Sequence, residues 1–238
     1  MSDVELLQKK NFWYKRWWGI ILIILAFGVV IFLPFYIYQF IVVYNQMQSG
    51  TYMTTDMENE KPPYDMKLLI DDLTPSVGNG NATVSIVEFG DFNCHNTLLA
   101  YPIMQQLMTK YHDQVKFYWR NYPVVSEDSP DLAAAAICAN RQGKFWPFHD
   151  RLFEVADTIN ALNLDMVAES VGMNIKEFEA CIGDSMTAAQ LRKDYYAATD
   201  GEVQGTPTFF INGYKIPGVL PLATWDGIIQ QFLKIKSR

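Results

Sequence analysis

The sequence predicts a mixed α/β domain with a long helical insertion, preceded by a single membrane-spanning helix. A β-prone apolar run over residues 84–89 is followed by a segment in which apolar residues recur at helical spacing. No strand pattern occurs between residues 124 and 207, whereas Asn212-Gly213 joins two β-prone runs as a hairpin turn would. With 238 residues, of which 50% are hydrophobic, the chain can form one domain and an appendage.

A long uncharged segment near the N-terminus has the composition of a membrane span. No charged residue occurs from Trp17 to Thr55, and a bilayer core requires about 20 apolar residues in a helix. We predict a transmembrane helix over residues 17–44, with residues 1–16 in the cytoplasm because basic residues precede the span and acidic residues follow it. The alternative is a cleaved signal peptide, but the residues from Val42 to Met47 offer no small-residue cleavage site.

A polar linker separates the predicted span from the predicted domain. Residues 45–75 are polar and contain Pro62-Pro63, so we predict an extracytoplasmic tether, within which residues 66–70 are a candidate first strand. The domain is predicted over residues 76–238, with its helical insertion at about 124–203.

The other elements of the domain follow from periodicity and from capping residues. Apolar and polar residues alternate over residues 115–122, which predicts a second strand ending before Pro123. Ser129 as N-cap with Pro130 at the first helical position is typical of a helix N-terminus, and so is Asn174 with Glu177 three residues later. The predicted helices cover residues 98–111, a segment from 129, residues 145–155 and 164–171, a segment from 174, and residues 187–199 and 222–235.

One cysteine lies where the strand over residues 84–89 passes into the next helix. Free backbone N–H groups and the helix dipole stabilise an anion there, so Cys94 is predicted to be a reactive thiolate. The alternative is a buried structural thiol. His95, if protonated, would stabilise the thiolate further; otherwise it is a solvent-facing loop residue. Thr97, one turn into the helix, either donates a hydrogen bond to the Cys94 sulfur or only packs.

Composition and spacing argue against several other classes of function. A formal net charge of -7 leaves no basic surface for a nucleic acid. His112 and His149 have no metal-ligand spacing with any cysteine, so we expect them to be ordinary surface or helix residues. No Gly-rich phosphate loop occurs either, so we expect neither a metal nor a cofactor. Three cysteines most simply form one disulfide and one free thiol.

Three segments of the chain, in order, match motifs of a known family. They are Phe-Gly-Asp-Phe-Asn-Cys-His-Asn-Thr at residues 89–97, Cys138 followed by Gln-Gly-Lys-Phe-Trp at residues 142–146, and Gly-Thr-Pro-Thr-Phe-Phe-Ile-Asn-Gly at residues 205–213. Together they resemble the DsbA-type thiol-disulfide oxidoreductases of the thioredoxin superfamily, over most of residues 76–238. The family motif is Cys-x-x-Cys, and here Thr97 stands at the second cysteine.

The resemblance implies a thioredoxin fold with a DsbA-like helical insertion, and roles for particular residues. It makes Cys94 the catalytic nucleophile, and the positions of His95 and Thr97 beside it make them candidate catalytic residues. It implies that Pro207 follows a cis peptide bond and faces the cysteine, where the backbone of Thr206 would pair with an extended substrate. It also implies a structural disulfide between Cys138 and Cys181 in the insertion, the alternative being two buried thiols.

Taken together, these features predict a membrane-anchored enzyme of the bacterial envelope that exchanges thiols and disulfides with exported proteins. A single cysteine cannot store a disulfide within its own motif. A substrate thiol, a small thiol or a membrane redox partner must therefore release the intermediate, which favours isomerase-like or reductase-like exchange. One alternative is a redox-inactive thioredoxin-fold module or chaperone that binds exported polypeptides. The other is a membrane-anchored scaffold in which the span is the functional part.

Overall fold

A computed structural model describes residues 17–48, 62–156 and 163–235 of the chain. The predicted cytoplasmic segment 1–16 and most of the predicted tether lie outside these residues. The chain divides into two compact units, residues 1–47 and residues 48–238.

The described part of the first unit lies in one long apolar helix, α1, over Trp17–Gln48. It continues through Pro34, and residues Trp17–Asn45 form a candidate membrane span of 29 residues with a mean hydropathy of 3.0. A helix of this length exceeds the thickness of a bilayer core, since each residue adds about 1.5 Å. The predicted apolar helix is therefore confirmed as a candidate transmembrane span.

The second unit is built on a five-stranded mixed sheet. Its strands are β1 (Ser76–Gly78), β2 (Val84–Gly90), β3 (Val115–Asn121), β4 (Thr208–Ile211) and β5 (Tyr214–Pro217). Their order across the sheet is β1-β3-β2-β4-β5, with β2 parallel to β3 and the other pairs antiparallel. The predicted strands over residues 84–89 and 115–122 and the predicted hairpin are confirmed. The turn at Asn212-Gly213 has positive φ at both residues, 47° and 91°, as a tight hairpin requires.

Helices cover the sheet and fill the insertion between β3 and β4. They are α2 (Met66–Leu69), α3 (His95–Lys110), α4 (Ser129–Arg141), α5 (Phe145–Glu154), α6 (Leu164–Ser170), α7 (Ile175–Ile182), α8 (Ser185–Asp200) and α9 (Leu222–Ile235). Among described residues of the insertion, 122–156 and 163–207, no strand occurs, as predicted. Helix α4 begins at Ser129 itself with Asp128 at the N-cap, one residue before the predicted cap.

Both faces of β2 are buried, which explains its nearly continuous apolar sequence. Ile86 packs with apolar residues of α3 and α9 on one face, and Val87 and Phe89 pack with those of α8 on the other. The insertion has its own apolar core, in which residues of α4 to α7 surround Phe148 and Phe178. The result is a thioredoxin-like α/β domain in which β2 runs through the centre and ends at the cysteine.

The structure corrects the prediction for residues 66–70. They form the short helix α2 instead of a strand, because the Asp65 side chain accepts a hydrogen bond of 2.9 Å from the backbone N–H of Lys67. Leu69 is buried in the domain, and the Tyr64 backbone N–H donates to the Gly213 carbonyl at 3.2 Å. Residues 62–75 therefore pack on the domain instead of forming part of a free tether. The true first strand, β1, was not predicted.

Candidate active site

The cysteine loop is a tight turn between β2 and α3. The Asp91 carbonyl accepts a hydrogen bond of 3.0 Å from the Cys94 N–H, and the Cys94 carbonyl accepts one of 3.0 Å from Leu98 as α3 begins. Cys94 is the N-cap residue, with extended backbone angles. The predicted position of Cys94 at the start of a helix is confirmed, so the unpaired N–H groups of the first turn lie at the cysteine.

A glycine and a tryptophan shape the approach to this turn. A Cβ atom on Gly90 would lie 2.6 Å from Cζ3 of Trp119, so only glycine fits at the end of β2. The Trp119 ring stacks on Phe92 with centroids 4.9 Å apart, and Phe92 also contacts Phe153 of α5. Packing between the sheet and the insertion therefore holds the loop that carries Cys94.

Thr206 lies directly against the cysteine. The Cys94 thiol donates a hydrogen bond of 3.2 Å to the Thr206 carbonyl, and the peptide bond from Thr206 to Pro207 is cis, as expected. Cys94 is only 8% exposed. The structure thus brings together the cysteine loop and the segment before β4, as the family resemblance implies.

The two residues predicted to assist the cysteine have different environments. His95, the first residue of α3, is exposed. Thr97 is fully buried, and its hydroxyl has no hydrogen-bond partner among the residues that the structure describes. The hydrogen bond from Thr97 to the Cys94 sulfur is therefore not formed, and the packing alternative describes Thr97 better. The catalytic contribution of His95 and Thr97 stays a prediction.

A groove opens beside the cis proline. Its volume is about 380 Å³, and its walls include Thr206, Pro207, Glu202 and Lys215. The Lys215 ammonium lies 3.8 Å from the Glu202 carboxylate, which also accepts a hydrogen bond from the Tyr64 hydroxyl at 2.9 Å. The groove therefore presents both charges, and Thr206 in its wall is the residue that contacts the Cys94 thiol.

The other two cysteines are joined in a disulfide between α4 and α7. The Cys138–Cys181 bond has an S–S distance of 2.04 Å, and the Thr187 hydroxyl lies 3.4 Å from the Cys181 sulfur. Cys94 is free. The predicted pairing is confirmed, and the alternative of two buried thiols is wrong.

One buried carboxyl group near the site was not singled out from the sequence. Glu88 lies on β2 between Trp119 of β3 and Phe209 of β4, six residues before Cys94. Burial raises the pKa of Glu88 to about 8, so the group is mostly protonated at neutral pH. The signal in the sequence was an acidic residue inside an otherwise apolar strand.

No group of three or more His, Cys, Asp or Glu side chains is placed to hold a metal ion in the part of the chain that the structure describes. His149, which was expected to be an ordinary helix or surface residue, is buried on α5 among aromatic rings. Burial lowers its pKa, and its Nδ1 lies 2.9 Å from the Asp150 carboxylate.

A cysteine at the start of the helix after a central strand, packed against a cis proline, defines the thioredoxin class of folds. The helical insertion between β3 and β4 is the DsbA-type elaboration of that class. A family model described as Thioredoxin matches residues 71–231, and the chain belongs to this family.

Similar proteins fall into two groups by length. The chain is 34% identical over 143 residues to the Na(+)/H(+) antiporter NhaA 3 of Salinispora tropica, a match that covers 59% of this chain and 22% of that protein. It is 32% identical over 151 residues to the probable disulfide bond formation protein D of Bacillus anthracis, covering 58% of this chain and 69% of that protein. The chain thus spans about a fifth of the length of the antiporter and about two thirds of the length of the probable disulfide bond formation protein.

A solved structure has the same fold. The crystal structure of a thioredoxin-like oxidoreductase from Silicibacter pomeroyi DSS-3 matches with a TM-score of 0.64 and 26% identity, covering 70% of this chain and 96% of that one. With the family match, this similarity makes the domain thiol-disulfide oxidoreductase-like.

Proposed function

We propose that the protein is a membrane-anchored, extracytoplasmic thiol-disulfide oxidoreductase that acts on exported proteins through Cys94 alone. The observation that carries the proposal is the contact of 3.2 Å between the Cys94 sulfur and the Thr206 carbonyl, next to the cis bond to Pro207. A substrate chain that pairs with the Thr206 backbone would bring its own disulfide to this sulfur. The names of the relatives, an oxidoreductase and a probable disulfide bond formation protein, support the same class.

The proposed reaction is an exchange in two steps. The Cys94 thiolate attacks one sulfur of a substrate disulfide, which forms a mixed disulfide and releases the other substrate sulfur as a thiolate. Thr97 has no thiol with which to break this intermediate, and Cys138 and Cys181 are already bonded to each other. A second thiolate must attack the substrate sulfur of the mixed disulfide and release Cys94. It is the substrate's own thiol in isomerisation and an external thiol in reduction.

The start of α3 supports the thiolate that this reaction needs. Backbone N–H groups of the first helical turn and the helix dipole stabilise a negative charge at the N-cap position of Cys94. His95, exposed at the next position, would add a positive charge when protonated. Thr97 is fully buried in this first turn.

The proposed location rests on α1 and on the disulfide. Residues Trp17–Asn45 are long and apolar enough to anchor the protein, and the basic residues before them favour a cytoplasmic N-terminus. The Cys138–Cys181 bond suits the oxidising side of the membrane. Exported proteins are the substrates available to a domain placed there.

The test uses the full-length protein in detergent micelles and an unfolded protein that contains disulfides. Wild-type protein should accumulate mixed disulfides with this substrate on non-reducing gels, and glutathione should disperse them as free substrate thiols appear. Cys94→Ser should form none, with an unchanged melting temperature as its control. Absence of adducts and of exchange with the wild-type protein would overturn the proposal.

A second function, a redox-inactive module that binds unfolded exported chains, is favoured by one observation. Cys94 is 8% exposed, and its thiol hydrogen-bonds to the Thr206 carbonyl, so the sulfur is largely covered. In that case Cys94→Ser should bind an unfolded polypeptide as tightly as the wild type, and neither should change its disulfides. Alkylation of Cys94 at neutral pH that is much faster than that of a model thiol would favour the oxidoreductase over the redox-inactive module.

A further inference from the structure

A second loop lies against the cysteine loop, and one carboxylate joins the two. Asp91 is 2% exposed. Its Oδ2 atom accepts hydrogen bonds from the backbone N–H groups of Val124 and Val125 at 2.8 and 2.9 Å. Its Oδ1 atom accepts one of 2.9 Å from the backbone N–H of Asn93. The carboxylate thus binds three backbone donors, two from the loop after β3 and one from the cysteine loop.

Other hydrogen bonds hold the same two loops together. The Tyr122 N–H donates to the Gly90 carbonyl at 2.8 Å, and the Asn93 side-chain amide donates to the Ser126 hydroxyl at 2.8 Å. From the insertion, the Tyr195 hydroxyl of α8 donates to the Pro123 carbonyl at 2.7 Å. The loop over residues 122–126 is therefore fixed by the cysteine loop on one side and by α8 on the other.

The position of Asp91 gives its carboxylate a direct connection to the reactive residue. The same residue accepts from the Cys94 N–H through its backbone carbonyl, so its main chain supports the cysteine while its side chain supports the neighbouring loop. That loop presents Val124 and Val125 to solvent, 49% and 51% exposed. This apolar surface lies beside the cysteine loop, because Asp91 joins the two, so a polypeptide bound at Cys94 is large enough to contact it and a small disulfide is not.

We propose that Asp91 is a positioning residue for exchange with polypeptide disulfides. Its carboxylate holds the cysteine loop and the loop over residues 122–126 in one rigid arrangement, and it does not contact the reacting sulfur atoms. The inference rests on the proposed function. Loss of the carboxylate leaves up to three backbone N–H groups without an acceptor and lets the two loops separate. The presentation of Cys94 to a polypeptide is then impaired, while the intrinsic reactivity of its sulfur is retained.

The experiment compares two rates in the full-length protein in detergent micelles. The first is the rate at which Cys94 reacts with dithiobis(nitrobenzoate), a small disulfide. The second is the rate at which Cys94 exchanges with an unfolded protein that contains disulfides. Asp91→Ala should lower the second rate by about tenfold or more relative to the first, because misplaced reacting groups lose rate steeply. Asp91→Asn keeps an oxygen that can accept from Val124 and Val125, so its relative loss should be about threefold.

The matched control is Asp226→Ala. Asp226 accepts hydrogen bonds from Lys110 and Tyr111 at the other end of α3, so its loss weakens the fold without touching the two loops. This variant should leave the ratio of the two rates at the wild-type value. A purely structural role for Asp91 would lower its melting temperature and leave the same ratio unchanged.

The outcomes separate this inference from the proposed function. If the wild type reacts with the small disulfide but not with the polypeptide, the proposed function fails and this role fails with it. If the wild type exchanges with both and Asp91→Ala keeps the wild-type ratio, only the role of Asp91 is overturned. If Asp91→Ala does not fold, the test passes to Asp91→Asn. The role of Asp91 is then overturned if Asp91→Asn has the same ratio of the two rates as the wild type.

Discussion

The thiol of Cys94 donates a hydrogen bond of 3.2 Å to the carbonyl of Thr206, which lies 112 residues later in the chain. The contact joins the first turn of α3 to the segment that enters β4. It forms because β2 and β4 are neighbours in the sheet, with Phe89 paired to Thr208. The site is therefore a property of the folded sheet, and its parts can be tested one residue at a time.

Thr97→Cys should create an internal disulfide with Cys94. Residues three apart on a helix have Cβ atoms about 5–6 Å apart, and disulfide-bonded Cβ atoms lie about 3.5–4.5 Å apart, so a small adjustment of the turn would allow the bond. The variant should no longer accumulate mixed disulfides with substrates and should oxidise reduced protein substrates. Intact mass and non-reducing gels measure both effects. Thr97→Ser is the matched control, and it should keep the wild-type adducts.

Failure of Thr97→Cys would be informative in two ways. If no bridge forms under oxidising conditions, Thr97 does not lie one turn from the cysteine in solution. If the bridge forms but no substrate is oxidised, the surface beside Pro207 does not bind polypeptides.

Loss of the disulfide in the insertion should destabilise the domain strongly. Cys138 and Cys181 are 43 residues apart in sequence, and closing a loop of that size contributes about 3–4 kcal/mol in the chain-entropy treatment. The double variant Cys138→Ala, Cys181→Ala should melt about 10 °C lower by calorimetry or circular dichroism. Cys94→Ser, which removes the free thiol, should melt within a degree or two of the wild type. An equal melting temperature for the double variant would contradict a stabilising disulfide.

The stability of the domain should depend on pH through Glu88. Burial raises its pKa from 4.5 to about 8 in the folded protein. Between those values the folded protein keeps a proton that the unfolded chain has released, so stability falls as pH rises and levels off above about 8. Relative to Glu88→Gln, the free energy of unfolding should fall by about 1.4 kcal/mol per pH unit from about pH 5 to pH 7. Denaturant titrations at several pH values measure it.

Comparison with Glu88→Gln isolates this one group from the others that titrate. Burial lowers the pKa of His149, so its contribution to stability is lost as pH falls below 6.5, in the wild type and the variant alike. The contribution of His149 therefore cancels when the free energies of unfolding of the two proteins are subtracted. Parallel pH profiles for the two proteins would show that Glu88 is not buried as a protonated acid.

Gly90→Ala should disturb both stability and exchange. The added methyl group would overlap the indole ring of Trp119, which is buried and stacks on Phe92 two residues before the cysteine. Overpacking of this kind costs about 1–3 kcal/mol, and displacement of Phe92 should also slow exchange at Cys94. Gly183→Ala is the control, because Gly183 has open space around its Cβ position and a φ of -82°. Equal stability of the two variants by denaturant unfolding would contradict the close packing.

Local sequence determined the elements that lead to the site. The run from Val84 to Phe89 is apolar enough to be a buried strand, and Asn212-Gly213 supplies the two residues that tolerate positive φ in a tight turn. Helical spacing after Cys94 placed the cysteine at a helix start. The disulfide and the cis bond to Pro207 came from motifs that resemble a known family. These features depend on neighbouring residues or on a shared motif, so they can be predicted from the sequence alone.

Tertiary structure alone decided what surrounds those elements. Residues 66–69 also fit a strand by sequence, and burial of Leu69 in the domain selects the helix that Asp65 caps. Thr97 has no hydrogen-bond partner among the described residues, burial raises the pKa of Glu88, and Asp91 joins two loops, because the fold brings segments distant in sequence to each side chain. The free energy of a buried polar group depends on which donors and acceptors the fold brings to it, and no local pattern contains that information.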